Sequence, residues 1–123
     1  MFTADQLVAH MIGDYFLQTH SWAVEKTRNS LIAGMHALTY TTTFVFITQS
    51  TLALLVIFAT HFVIDRFRLA KYVTWFKNGM SEDCMTDTGF PKDTPPYLAV
   101  WLLIIMDNLM HIVCNGVAIW MFS

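Results

Sequence analysis

The chain has 123 residues, of which 55% are apolar, 15% are aromatic and only 13% are charged. Soluble domains are about 25% charged, so this composition argues against an ordinary water-soluble fold and indicates a membrane protein. The length allows one domain, residues 1–123, and the net charge of −2 gives no electrostatic basis for binding nucleic acid.

Segments with few charged residues predict four membrane-spanning helices, because lipid leaves helices and closed barrels as the only spanning structures. We predict these helices near residues 3–20, 31–48, 51–71 and 97–121. A spanning helix needs about 20 mostly apolar residues, and the long charge-free interval in the middle of the chain holds two of them. The first span is the least apolar because His10, Asp14 and Gln18 interrupt it. The predicted fold is an all-α, four-transmembrane-helix bundle.

The basic residues predict how the bundle is oriented. All lysines and arginines lie in two segments, residues 26–28 and 66–92. These segments connect the first span to the second and the third span to the fourth, so both lie on the same side of the membrane. The positive-inside rule assigns that side to the cytoplasm. We therefore expect cytoplasmic loops at 21–30 and 72–96 and both termini on the opposite side.

Three predicted spans each carry a histidine and an aspartate four residues apart. Residues at this spacing lie one above the other on a helix, so each pair faces one direction. An ionisable group inside a bilayer costs roughly 2.5–3.5 kcal/mol and usually serves a purpose. The pairs are His10 with Asp14, His61 with Asp65 and Asp107 with His111, and the second span adds His36. At about 1.5 Å per residue, all of these side chains fall in one overlapping layer of the membrane.

Imidazole and carboxylate groups together suit zinc, manganese, iron and similar divalent ions. We predict a site for one or two such ions. Zinc is the expected metal, and manganese and iron are the alternatives. The predicted ligands are His10, Asp14, His36, His61, Asp65, Asp107 and His111. Seven ligands exceed one tetrahedral shell, so either two ions or carboxylates that orient the histidines would account for them. An ion with an open coordination position lowers the pKa of bound water and makes it a nucleophile for hydrolysis.

The sequence resembles the small membrane family called domain of unknown function 3307, which occurs in bacteria and their phages. The resemblance is carried by segments 10–19, 61–65 and 107–111, together with His36. The family pattern is roughly H-x-x-G-D-F-x-x-Q, then H, then H-F-x-x-D, then D-Q-x-x-H. The chain departs from it at Tyr15, which replaces Phe, and at Asn108, which replaces Gln. The resemblance supports a small membrane protein with this site. We expect it in the bacterial inner membrane, where the positive-inside rule makes both termini periplasmic. The motif is also similar, by analogy, to that of larger membrane-bound metal-dependent hydrolases.

We therefore expect a membrane-embedded, metal-dependent hydrolase that acts on a lipid or amphiphilic ester or phosphoester at the cytoplasmic leaflet. His36, Asp14 and Asp107 are the predicted catalytic residues, and Gln18 and Asn115 would position substrate or water. Membrane lipid is the expected partner, and assembly into a homo-oligomer stays open.

Two other classes of function stay open at this point. His/Asp chains line proton and ion pathways in pumps and transporters, and a transporter with only four helices per chain would need a homo-oligomer. A non-enzymatic phage or host membrane factor is the third class. A polar network can also simply hold a helix bundle together, and Asp65 could pair with Arg66 or Arg68 at the membrane interface.

Overall fold

A computed structural model describes the whole chain, Met1–Ser123, and contains helices and turns but no strand. The helices are α1 Ala4–Met11, α2 His20–Glu25, α3 Ser30–Thr42, α4 Thr51–Arg66, α5 Leu69–Lys77 and α6 Pro96–Phe122. A π-helical turn, Ile12–Phe16, continues α1, and a 3₁₀ turn, Thr43–Phe46, continues α3. A second 3₁₀ turn, Glu82–Cys84, lies in the loop before α6. The all-α prediction is confirmed.

Local capping signals set where the long helices begin. The Asn29 side chain accepts hydrogen bonds from two backbone N–H groups in the first turn of α3. The Ser50 side chain accepts one from the backbone N–H of Ala53 in α4. Pro96 begins α6, at a position where a backbone N–H would have no acceptor within the helix. These caps satisfy groups that helix ends leave free, and they divide α3 from α4 near the predicted residues.

The two basic segments lie together at one end of the molecule, which we call the basic end. The Arg66 guanidinium donates a hydrogen bond of 2.8 Å to the Thr27 carbonyl, which joins the end of α4 to the connection before α3. At the opposite end, the Ser50 hydroxyl donates to the Phe122 carbonyl at the end of α6. Helices α1 and α4 therefore run toward the basic end, and α3 and α6 run away from it.

The first predicted span and the loop after it differ from the structure. The span predicted at 3–20 ends as a helix at Phe16. A separate helix, α2, then occupies much of the predicted loop 21–30. It begins after Thr19, whose side chain accepts a hydrogen bond from the backbone N–H of Trp22. This cap starts a new helix and ends the first span early.

The third predicted span and the loop 72–96 also differ from the structure. Helix α4 ends at Arg66, and Arg68 adopts the left-handed conformation with φ of 51°, which breaks the helix. Helix α5 follows and covers the first part of the segment predicted as a loop. It buries Ala70 and Thr74 and packs against α6. A short amphipathic helix has too few apolar residues to stand out from a polar loop in the sequence.

By length and apolar composition, one helix is suited to cross a membrane, namely α6 with 27 residues. Helices α4 and α3 have 16 and 13 residues. At about 1.5 Å per residue they measure roughly 24 Å and 20 Å, against a hydrocarbon core of about 30 Å. The prediction of four spans therefore goes beyond what helix length supports, because turns and caps interrupt the apolar segments that the sequence presents as continuous.

The interior holds 11 polar or charged residues beside 13 hydrophobic ones, and many large apolar side chains lie on the surface. His10, His36, His61 and His111 are at most 1% exposed. Phe46, in contrast, is 94% exposed. In the most apolar 18-residue stretch of α6, only 11% of the residues are buried. A soluble fold has the opposite arrangement.

The apolar core that exists is small, and we call it the apolar layer. It consists of Ala9, Tyr40, Phe44, Ile57 and Ala118. Along α3, α4 and α6, its members lie farther from the basic end than the histidine of the same helix. The apolar layer therefore separates the histidines from the end opposite the basic end.

Candidate metal centre

Four helical segments bring all seven predicted ligands into one interior region. His10 and Asp14 come from α1 and its π turn, His36 from α3, His61 and Asp65 from α4, and Asp107 and His111 from α6. All of them are buried except Asp107, whose side chain is 34% exposed. The spacing of four residues therefore aims each pair inward, as the sequence analysis predicts.

A π-helical turn positions Asp14 at the centre. Such turns insert an extra residue into a helix, which changes the direction of the side chains, and they are frequent at functional sites. Gly13 in this turn lies against Tyr40, and a Cβ atom at position 13 would lie 2.5 Å from the tyrosine ring. The absence of a side chain lets the Asp14 backbone approach α3. Asp14 Oδ1 consequently lies 3.2 Å from His36 Nε2.

Four donor atoms, from Asp14, His36, His61 and Asp65, form the tightest cluster, which we call the four-donor group. His36 Nε2 lies 3.0 Å from His61 Nε2. It also lies 3.2 Å from Asp14 Oδ1 and 3.3 Å from Asp65 Oδ2. His61 Nε2 lies 3.5 Å and 3.1 Å from the same two carboxylate oxygens.

These separations match the edges of a tetrahedral coordination shell. Zinc binds nitrogen and oxygen donors at about 2.0–2.1 Å, which puts neighbouring donors of a tetrahedron about 3.3–3.4 Å apart. The chemistry of the donors also fits, since two imidazoles and two carboxylates are common ligands of zinc and other divalent ions. The buried Asp/His cluster can therefore hold a metal ion.

Charge balance gives a second reason for a cation in the four-donor group. Asp14 and Asp65 are each only 5% exposed, and buried carboxylates are costly unless opposite charge or hydrogen bonds replace their hydration. Lys26 supplies one positive charge to Asp65, and a cation in the four-donor group would neutralise the carboxylate charge that remains. The Nδ1 atoms of His36 and His61 have no hydrogen-bond partner, so both rings make their polar contacts through Nε2 toward the shared centre.

His10 and His111 flank the four-donor group and contact its carboxylates from outside. His10 Nδ1 lies 3.6 Å from Asp14 Oδ2, and His111 Nε2 lies 3.1 Å from Asp65 Oδ1. Outer contacts of this kind hold ligating carboxylates in place. His111 Nε2 also lies 3.6 Å from Asp107 Oδ2. Asp14, Asp107 and His111 form a second group that could hold an ion, so Asp14 is shared between the two groups.

Tyr40 is a central residue of the site that the sequence analysis did not assign. Its hydroxyl lies 2.8 Å from His10 Nδ1 and accepts a hydrogen bond of 2.6 Å from Asn115 Nδ2. Its ring stacks on the His61 ring with 3.7 Å between centroids. The signal for Tyr40 is its spacing of four residues from His36, which places both on one face of α3.

Both ring nitrogens of His10 are already hydrogen-bonded. His10 Nδ1 contacts Tyr40, and Nε2 lies 2.8 Å from Asn108 Oδ1. His10 therefore lies beside the four-donor group, outside its tetrahedron, although the sequence analysis predicts it as a ligand. Asn115 is buried and holds Tyr40, so its place in the structure does not match the predicted role of positioning substrate.

Lys26 is a second residue of the site that sequence reasoning did not assign. Its ammonium donates a hydrogen bond of 2.7 Å to Asp65 Oδ2, and its side chain is 15% exposed. Asp65 therefore pairs with Lys26 rather than with Arg66 or Arg68. In the sequence Lys26 marks only the orientation, because nothing in its spacing shows that the segment after α2 lies against the end of α4.

A cleft of about 500 Å³ opens beside the four-donor group at the basic end. Three carboxylates and three basic side chains line it: Asp14, Asp65, Asp107, Lys26, Arg68 and Lys71. Gln18 and Tyr15 lie along the same cleft, as do the apolar side chains of Ile64, Leu103 and Ile104. Gln18 is thus in a place consistent with its predicted role.

Comparison with known proteins identifies the family. The model of the family described as "Protein of unknown function (DUF3307)" matches residues 2–122. The chain belongs to this family. The match includes all seven predicted ligands and confirms the resemblance that the motifs indicate. No curated protein and no solved structure matches the chain.

Removing the two imidazoles of the four-donor group should abolish metal binding. We expect the protein, purified without metal-affinity chromatography, to contain about one zinc ion per chain, because four protein donors complete a tetrahedral shell. The double variant His36→Ala/His61→Ala should contain essentially none. Metal content is measured by mass spectrometry.

The matched control is His20→Ala, which changes an exposed histidine outside the site and should keep the bound metal. Wild-type protein without metal, or a double variant that retains it, would contradict the assignment of the four-donor group.

Proposed function

We propose that the chain is a multi-pass protein of the bacterial inner membrane, with four membrane-crossing segments. The apolar exterior and polar interior support this proposal, since lipid rather than water is the solvent that suits such a surface. The low burial of α6 supports it as well, because the core helix of a soluble protein would be mostly covered. Trp101 and Trp120, which are 63% and 64% exposed, lie toward opposite ends of α6, as in the aromatic belts of membrane proteins.

The short helices are compatible with four spans if the bilayer thins around them. Segments shorter than the hydrocarbon core are accommodated by local thinning at a cost of fractions of a kcal/mol per Å. The 3₁₀ turn after α3 and the π turn after α1 lengthen both segments without breaking the chain of backbone hydrogen bonds. The gathering of basic residues at one end supports a cytoplasmic basic end and periplasmic termini.

Cysteine labelling tests this arrangement. In protein lacking Cys84 and Cys114, we expect Asp93→Cys to react with an impermeant maleimide only after the inner membrane is opened. Gln49→Cys, in the turn before α4, should react in intact spheroplasts. Both positions are exposed, so accessibility reports the side of the membrane. Labelling of both positions from the same side would contradict four spans.

We propose further that the four-donor group is the centre of a metal-dependent hydrolase at the cytoplasmic leaflet. The observation that carries this proposal is a buried cluster of four donor atoms, two imidazole nitrogens and two carboxylate oxygens, that adjoins an open cleft. A divalent ion held by these four donors would need a fifth coordination position, open to the cleft, for water or a substrate oxygen. At that position it would polarise a scissile carbonyl or phosphoryl oxygen and lower the pKa of bound water. Zinc fits the donors best, with manganese or iron as alternatives.

Other residues of the site would act as general base, orient that base and position the substrate. His36 is fully buried within the four-donor group, which favours a ligand role over that of general base. Asp107 is the half-exposed carboxylate of the cleft, and it is our candidate general base for the attacking water. His111, in contact with Asp107 and Asp65, keeps that base oriented. Gln18 would position the substrate, a lipid or amphiphile that enters from the membrane.

A proton or ion transporter is the second candidate, and one observation favours it. The His/Asp contacts form a continuous chain with separations of 3.0–3.6 Å from His10 to Asp107. The apolar layer, however, lies between this chain and the end opposite the basic end. A site that opens on one side and is closed on the other suits an enzyme better than a pathway across the membrane.

Hydrolysis of defined probes tests the enzyme proposal. Metal-loaded protein in micelles is incubated with 4-nitrophenyl octanoate, a carboxylic ester, and with dioctanoyl phosphatidic acid, a phosphoester. We expect turnover of at least one probe, and a decrease of about 10²–10⁴-fold in the variant Asp107→Asn, which is the usual contribution of a general base. The variant should retain its metal, because Asp107 lies outside the four-donor group.

Asp93→Asn, in the exposed loop, is the matched control and should leave the rate unchanged. Two results would contradict the hydrolase proposal. One is fully metal-loaded protein that hydrolyses neither probe, and the other is a rate that Asp107→Asn does not change.

A further inference from the structure

The basic side chains around the cleft indicate the chemical class of the substrate, and this inference rests on the proposed function. Lys26 follows α2, whereas Arg68 and Lys71 lie at the start of α5, and all three line the cleft that adjoins the four-donor group. Lys26 contacts Asp65. Arg68 donates a hydrogen bond to the Asp87 carbonyl, and the Lys71 ammonium lies 5.1 Å from the centre of the Tyr72 ring. Neither Arg68 nor Lys71 pairs with a carboxylate, so the charge of both can still be offset by an anionic ligand in the cleft.

The charge of the cleft indicates what that ligand carries. Three carboxylates and three basic side chains balance one another, so a divalent ion in the four-donor group would leave the cleft with a charge of about +2. A phosphate monoester carries a charge of about −1.5 to −2 near neutral pH. A carboxylic ester is neutral and a phosphodiester carries a single charge, so both complement the cleft less well.

The walls of the cleft indicate the rest of the ligand. Ile64, Leu103 and Ile104 supply apolar surface beside the charged groups. Ile104 is 38% exposed on α6, so the cleft reaches the apolar exterior of the bundle. An acyl or isoprenoid chain could lie there while its headgroup meets the basic side chains.

Arg68, which lines the cleft, has a strained backbone conformation. Its φ and ψ of 51° and 49° are left-handed, a conformation that strains residues other than glycine and that is found frequently at ligand-binding sites. The conformation breaks α4 from α5 and holds Arg68 beside the cleft, where its guanidinium also donates a hydrogen bond of 3.3 Å to the Asp87 carbonyl.

We infer that the substrate is a lipid phosphate monoester, whose phosphate is bound by Arg68, Lys71 and Lys26 above the four-donor group. In the reaction, a water oxygen forms a bond to phosphorus while the bond between phosphorus and the lipid oxygen breaks. The proton of the water passes to Asp107 and then to the departing lipid oxygen. The products are a lipid alcohol and inorganic phosphate.

Binding to zinc-loaded Asp107→Asn protein tests this inference without turnover. The probes are dihexanoyl phosphatidic acid, dihexanoyl phosphatidylglycerol and inorganic phosphate, titrated by calorimetry. We expect the monoester to bind about tenfold or more tightly than the other two. Arg68→Asn and Lys71→Gln should each weaken monoester binding by about tenfold or more, the usual loss for a charge-assisted hydrogen bond.

The variants are chosen to preserve the fold. Asparagine tolerates the left-handed conformation at position 68, and Lys71→Gln keeps a long polar side chain. Arg28→Asn and Lys77→Gln are matched controls, because both residues are exposed and lie outside the cleft. They should leave the binding constant unchanged, and all variants should keep their metal.

Equal affinity for phosphatidylglycerol would overturn the recognition of a monoester. Equal affinity for inorganic phosphate would overturn the lipid part and indicate a site for free phosphate. Hydrolysis of 4-nitrophenyl octanoate without binding of phosphatidic acid would overturn this inference while leaving the hydrolase intact. Wild-type protein that binds no metal would instead contradict the proposed function itself.

Discussion

Two buried carboxylates, those of Asp14 and Asp65, are the constraint on which the interior of this bundle depends. A carboxylate taken out of water costs several kcal/mol unless positive charge and hydrogen bonds replace its hydration. Both carboxylates face the same pair of imidazoles, His36 and His61. The outer histidines contact the other oxygen of each carboxylate, and Lys26 contacts Asp65 Oδ2, the oxygen that also faces the imidazoles. His36 Nε2 and His61 Nε2 lie 3.0 Å apart, a separation that suits either a hydrogen bond between the two rings or two ligands of one cation.

The environment of this cluster differs on its two sides, and that difference favours one class of function. Toward the end opposite the basic end, Tyr40, Phe44 and Ile57 fill the space with apolar packing. Toward the basic end, the same cluster adjoins a cleft lined by carboxylates and cations. The proposal of a hydrolase over a conducting pathway rests on this difference, namely a cleft beside Asp14 and Asp65 on one side and packed rings on the other.

The sequence was sufficient to predict the helical class, the family and the meeting of the seven polar side chains, because a spacing of four residues fixes a helix face before any tertiary contact is known. It did not predict which nitrogens and oxygens converge, since that depends on the rotation of each helix and on the π turn at Asp14. His10 was predicted as a ligand, but the neighbouring Tyr40 and Asn108 engage both of its nitrogens. Lys26 and helix α5 were missed because only tertiary folding brings them over the site.

The central claim is that two histidines and two aspartates bind one ion in a tetrahedral shell. X-ray absorption at the zinc edge of purified protein tests it most directly. The account predicts four nitrogen or oxygen donors at about 2.0–2.1 Å, with outer-shell scattering from two imidazole rings. A spectrum with sulfur at about 2.3 Å, or one without imidazole scattering, would place the metal elsewhere and contradict the account.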